Sequence, residues 1–144
     1  MEKPLDRITE AYYNGMGEEF GKKVRERIHW ICSQAKGEKI LDVGCSQGIT
    51  SILLGREGKN VLGIDLNDEA IEFAKKSLEN ESEITKKYVK FKVANFMDYD
   101  FKDEKFDSII LAEILEHLTD PERFIEKASK LLSQDGRVII TVFL

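Results

Sequence analysis

Three groups of residues are spaced for chemistry. The first is Leu41-Asp42-Val43-Gly44-Cys45-Ser46-Gln47-Gly48, where a short apolar run carrying an acid leads into a glycine loop. Glycine at such a bend lets the backbone approach a ligand that a Cβ would hold away. The second is Asp65, at the end of Gly63-Ile64-Asp65. A carboxylate ending the second strand can accept both hydroxyls of a ribose. The third is Glu113-Ile114-Leu115-Glu116-His117. On a helical turn Glu113 shares a face with Glu116 and with His117. That cluster offers a general base, a set of ligands for a divalent metal, or a packed and solvated turn with no chemistry.

The side chains of the loop discriminate between nucleotide classes. A phosphate-binding P-loop carries Lys-Ser/Thr after its last glycine, whereas Gly48 is followed by Ile49-Thr50. A dinucleotide loop carries G-x-G-x-x-G, whereas counting from Gly44 the other two places hold Ser46 and Ile49. Asp42 would repel a pyrophosphate and favour a ligand with cationic groups. S-adenosylmethionine has two, a sulfonium and an ammonium. The segment Ile40–Thr50, with Asp65 downstream, therefore reads as an S-adenosylmethionine site. Cys45 reads as a small loop residue and not as a nucleophile.

The elements that position these groups follow from hydrophobic periodicity. Residues 1–37 read as helical, with Phe20, Val24, Ile28 and Ile31 at helical spacing and Gly37 as the stop. Residues 38–144 alternate strand and helix. Strands are expected at Lys39–Val43, Asn60–Asp65, Tyr88–Ala94, Phe106–Ala112 and Arg137–Leu144. Helices are expected at Gln47–Arg56, Asp68–Asn80 and Pro121–Ser133, the last with Asp120 as N-cap and Pro121 at its first position. Strands separated by helices imply parallel βαβ units, and nearly all-apolar strands imply helices on both faces. The expected fold is α/β: about five parallel strands, doubly wound, with the ligand at their carboxyl ends.

The totals exclude several classes. The 144 residues are 42% hydrophobic and 34% charged, which suits one globular unit. A net charge of −5 makes nucleic-acid binding an unlikely role, and no apolar run approaches a membrane span. Cys32 and Cys45 form no pairing pattern and the N-terminus has no apolar leader, so a cytoplasmic setting is the default.

Together these residues resemble the class I S-adenosylmethionine-dependent methyltransferases over residues 36–143. The resemblance implies a Rossmann-like sheet in the order 3-2-1-4-5. It implies cofactor contacts from Asp42, Gly44, Cys45, Ser46 and Gly48 in the first motif, and from Asp65 at the ribose with Leu66 beside the adenine. It also implies contacts from Asn95 and Phe96 at the adenine edge and from Ala112 at the end of the fourth strand. Asn95 stands where the family often has Asp, and Ser46 replaces the middle glycine. His117 resembles the base of ubiquinone-type O-methyltransferases, with Glu113 and Glu116 beside it. The expected activity is methyl transfer to a small-molecule acceptor, leaving S-adenosylhomocysteine. Two alternatives stand beside it: a non-catalytic S-adenosylmethionine-binding module, and a metal-assisted RNA 2′-O-methyltransferase-like enzyme. No resident metal is assigned. Tyr12 and Tyr13 occupy the place where this family often has a lid. Such domains continue past strand five with a helix and a hairpin, so a truncated chain is expected, with an exposed fifth strand that pairs with a second copy.

Overall fold

The strands are β1 (Lys39–Val43), β2 (Asn60–Asp65), β3 (Val89–Val93), β4 (Phe106–Ala112) and β5 (Leu132–Thr141). They form one sheet in the order β3-β2-β1-β4-β5, every pair parallel, in a computed structural model that describes residues 7–142. The expected α/β architecture and strand order are those observed. Phe143 and Leu144, the end of the expected fifth strand, lie outside the described residues.

β1 is central because both of its faces are apolar. Ile40 and Leu41 point to opposite sides and both are fully buried. Ile40 joins Ile52, Val61, Ala74 and Phe91 on one face, whereas Leu41 joins Ile64, Phe106, Ile109 and Leu111 on the other. Val43 pairs with Ile64 of β2 and with Leu111 of β4, so the three strands finish together at one edge. That shared finish creates the crevice in which open α/β sheets bind ligands.

The helices are α1 (Ile8–Tyr12), α2 (Glu18–Gln34), α3 (Ile49–Arg56), α4 (Asp68–Glu79), α5 (Glu83–Tyr88) and α6 (Pro121–Lys130). α4 starts where Asn67 Oδ1 accepts from the Glu69 and Ala70 amides. α3 starts at Ile49 and not at Gln47, because Gly48 holds a left-handed φ of 85°. α2 sends Ile31 into the core beside β1, followed by its C-cap Ala35, while Val24 and Ile28 pack with Ile8 and Ala11 against Ile49. No helix among the described residues is long and apolar enough to cross a membrane.

Four local expectations need correction. α6 ends at Lys130, and β5 begins at Leu132 where helix was expected. The two residues Phe106 and Ser108 of β4 pair with Leu132 and Arg137, so β5 bulges through Ser133–Gly136, with Asp135 at a φ of 64°. α5 occupies a stretch read as connection; Ser82 caps it by accepting from the Thr85 amide. Asp120 sits at the N-cap of α6 but makes no side-chain cap bond. β3 is also not apolar throughout: Lys90, Lys92 and Val93 are exposed on this edge strand.

Candidate functional site

The loop after β1 is tied to β2 by its own backbone. The Gly44 and Cys45 amides both donate to Ile64 O, at 2.8 and 2.9 Å, and the Gly48 amide donates to Cys45 O at 2.9 Å. The Ser46 amide donates to Asp65 Oδ2 at 2.8 Å, and the Asn67 amide donates to Asp65 Oδ1 at 2.9 Å. These N–H groups are committed inside the protein and do not converge on an anion, as a phosphate loop requires. Two other backbone features shape the bend. Gly44 holds a φ of 72°, and Ser46, the residue in place of a glycine, adopts 50°.

A cavity of about 740 Å³ opens at the joint carboxyl ends of β1, β2 and β4. Its volume lies within the range of roughly 300–1,000 Å³ usual for small-molecule sites. Of the expected cofactor residues, Gly44, Ser46, Asp65 and Ala112 line it; so do Glu113 and His117 of the expected catalytic group. The sequence reading did not name Gln47, Asn67, Glu69 or Phe73 as wall residues. The Asx cap of Asn67 was the one available signal, since a cap fixes where the first turn of α4 starts beside Asp65.

Other expected residues stand back from this cavity. Asp42 is 3% exposed and accepts from the Ser51 hydroxyl at 2.8 Å. Burial pushes its carboxyl up to about 7, with the nearby Asp65 adding to the rise and the Ser51 bond opposing it. With Cys45 it lines a smaller cavity of about 40 Å³ behind the loop. Gly48 packs beneath, where a Cβ would come 2.6 Å from Phe91 Cζ. Leu66 is exposed, Asn95 Oδ1 accepts from the Met97 amide, and Phe96 is buried in the core under Lys127.

The acidic cluster after β4 does not form a helical face. Glu113 ends the strand with a φ of 57° and only Leu115–His117 make a 3-10 turn, so the expected i, i+3 and i, i+4 alignment is absent. Glu113 is 3% exposed; its Oε1 lies 2.6 Å from Arg27 Nε of α2. Burial raises its carboxyl above the ordinary range, and Arg27 pulls it back. Glu116 and His117 are exposed. No group of three or more His, Cys, Asp or Glu among the described residues is arranged to hold a metal. Tyr12 is buried with its hydroxyl 2.7 Å from His29 Nε2, and Tyr13 is exposed; neither lines the main cavity.

A doubly wound parallel domain, with a glycine bend and a strand-end acid at one crevice, is the class that fold and site define. Within that class, residues 41–140 match the family described as "Methyltransferase domain", and the chain belongs to it. Ubiquinone biosynthesis O-methyltransferase from Actinobacillus pleuropneumoniae serotype 7 is 38% identical, over 76% of this chain and 49% of its own length. The mitochondrial Ubiquinone biosynthesis O-methyltransferase of Bos taurus is 36% identical, over 73% of this chain and 28% of its own length. The chain thus spans about half the length, or less, of the curated relatives it matches. Among solved structures, coclaurine N-methyltransferase bound to N-methylheliamine and SAH aligns with a TM-score of 0.72 at 20% identity. That alignment covers 84% of this chain and 36% of the other. The [4+2]-cyclase SpnF aligns at 0.70 with 19% identity, covering 79% and 43%. At these identities the structures show a shared fold.

Proposed function

We propose that the cavity binds S-adenosylmethionine and that the chain transfers its methyl group to a hydroxyl of a small-molecule acceptor. The observation that carries this is the wall shared by Gly44, Ser46 and Asp65, in a chain of the methyltransferase-domain family. The residues suit the cofactor. The loop amides are spent internally and the buried acid on the wall is Glu113, with Asp42 behind the loop, so the site is built for cationic and hydroxyl groups rather than phosphate. Asp65 keeps lone pairs for ribose hydroxyls after accepting from Ser46 and Asn67.

The bound cofactor supplies a methyl on a sulfonium, ready for in-line displacement. The protein's task is alignment. Gly44 and Ala112 let the backbone of two strand ends come close, and Ile114 flanks Gly44. His117, at the cavity mouth, is the candidate to take the acceptor's hydroxyl proton; Glu113 and Glu116 act beside it. The hydroxyl preference rests on the relatives being O-methyltransferases of ubiquinone biosynthesis. Cys45 and Gly48 keep their proposed places in the cofactor loop, and Leu66, Asn95 and Phe96 theirs beside the adenine. A division into residues 1–37 and 38–144, a cytoplasmic setting and a second copy on the exposed edge of β5 belong to the same reading.

Labelled S-adenosylmethionine incubated with a panel of phenols and alcohols tests it. Acceptor gaining one methyl, together with S-adenosylhomocysteine, is the expected result. Binding without transfer to any acceptor would favour the non-catalytic module instead.

A further inference from the structure

The cavity is not built by the sheet and its loops alone. α2 does not line it, but one of its polar side chains holds a wall residue, Glu113, from behind. Arg27 Nε lies 2.6 Å from Glu113 Oε1, with Arg27 at 21% and Glu113 at 3% side-chain exposure. Glu113 borders both the main cavity and the small one behind the loop, and Arg27 lines the latter. The position of Glu113 is constrained twice more: its φ is 57°, and its amide donates to Thr141 O of β5 at 2.7 Å. A carboxylate so deeply buried stays ionised only beside a compensating charge.

We propose that Arg27 is a positioning residue, holding the Glu113 carboxylate ionised at the cavity wall so that the N-terminal helix completes the cofactor site. This rests on the proposed binding of S-adenosylmethionine. The groups facing Glu113 are Arg27 from α2 and Glu116 and His117 from the following turn; Asp42 of β1 borders the same small cavity. Arg27 is the largest influence opposing the burial of Glu113, ahead of His117, while Glu116 raises the carboxyl further. Without Arg27 the burial of Glu113 loses its strongest counterweight, and the balance moves towards the neutral carboxyl. The wall then loses the negative charge that attracts a sulfonium and an ammonium.

The test is calorimetric titration of S-adenosylmethionine into the wild type, Arg27→Met and Arg27→Lys from pH 6 to 9, with melting curves to confirm folding. Dividing each variant's Kd by the wild-type value at the same pH cancels the ligand's own ionisation. For Arg27→Met the ratio should exceed tenfold at pH 6 and shrink steadily towards pH 9. Arg27→Lys, which keeps a charge, should stay within threefold throughout. Should Arg27→Met fail to fold, Arg27→Gln, which keeps much of the stem, carries the same expectation. A ratio that stays near one, or a loss that is the same at every pH, overturns the proposal; the second would mark Arg27 as merely structural. A wild type that binds no S-adenosylmethionine at any pH refutes the functional reading itself, and this inference with it. Wild-type binding with a flat ratio refutes Arg27 alone.

Discussion

Replacing Asp65 by alanine perturbs the site at its best-defined point. The carboxylate accepts the Ser46 amide at 2.8 Å and the Asn67 amide at 2.9 Å, so it clamps the loop after β1 to the loop after β2. Asp65 also lines the cavity. Hydrogen bonds to charged groups contribute roughly 1.5–3 kcal/mol each, and a half-buried carboxylate belongs at the lower end. Two lost ribose bonds then weaken binding by about 3 kcal/mol, or roughly 100-fold in Kd. Loss of the two amide bonds also loosens the free protein, lowering its melting temperature by roughly 5 °C or more. Titration of S-adenosylhomocysteine into a variant shown to be folded measures the first effect, and calorimetric melting measures the second. Asp65→Asn, which keeps one acceptor oxygen, should fall between. A folded Asp65→Ala variant that binds within threefold of wild type would refute the assignment of this acid to the ribose.

Other perturbations follow from the same geometry. The folded-state value of about 7 for Asp42 lies above its ordinary 3.8, so the folded chain holds that proton more tightly than the unfolded one. Its contribution to stability therefore falls as pH rises from about 4 to about 7 and is level above that. Asp42→Asn should gain stability relative to wild type between pH 5 and pH 8 in urea unfolding, by on the order of 1–3 kcal/mol, while binding the cationic cofactor less well. A difference that does not change with pH would contradict this. His117→Ala should leave cofactor Kd within threefold but slow transfer to a hydroxyl acceptor by about 100-fold or more; unchanged turnover would retire it as the base. Gly48→Ala places a Cβ 2.6 Å from Phe91 Cζ and 2.8 Å from Ala74 Cβ at a φ of 85°. Left-handed strain and overpacking together should cost about 2–4 kcal/mol. Gly58→Ala, at a φ of 86° with open space around it, should show the strain alone, so equal melting losses would refute the packing argument.

Much of the scaffold was legible because the strands are short apolar runs between strong punctuation. β1, β2 and β4 were readable to the residue, since Gly44, Asp65 and Glu113 end them. α5 was not, because Thr85 is its sole buried residue and leaves no apolar stripe to detect. β5 begins at Leu132, inside the stretch expected as helix, because the chain pairs there with Phe106 and then bulges before rejoining β4 at Arg137. At the site, spacing pointed to Gly44 and Asp65 and the family resemblance added Ser46 and Ala112; all four line one cavity. It did not reveal that Asp42 lies behind that wall, since a strand residue two positions before the bend points into the core. Nor did it find Arg27, whose meeting with Glu113 spans the sequence from α2 to the end of β4. The i, i+4 argument for Glu113 and His117 failed because it assumed a helix, and the left-handed backbone of Glu113 forbids one there.

The central claim is the identity of the ligand in the cavity bordered by Gly44, Ser46 and Asp65. Calorimetric titration with S-adenosylmethionine, S-adenosylhomocysteine and NAD tests it most directly. The account predicts one-site binding of the first two and none of NAD. Tight NAD binding, with no heat from either of the other two, would contradict it.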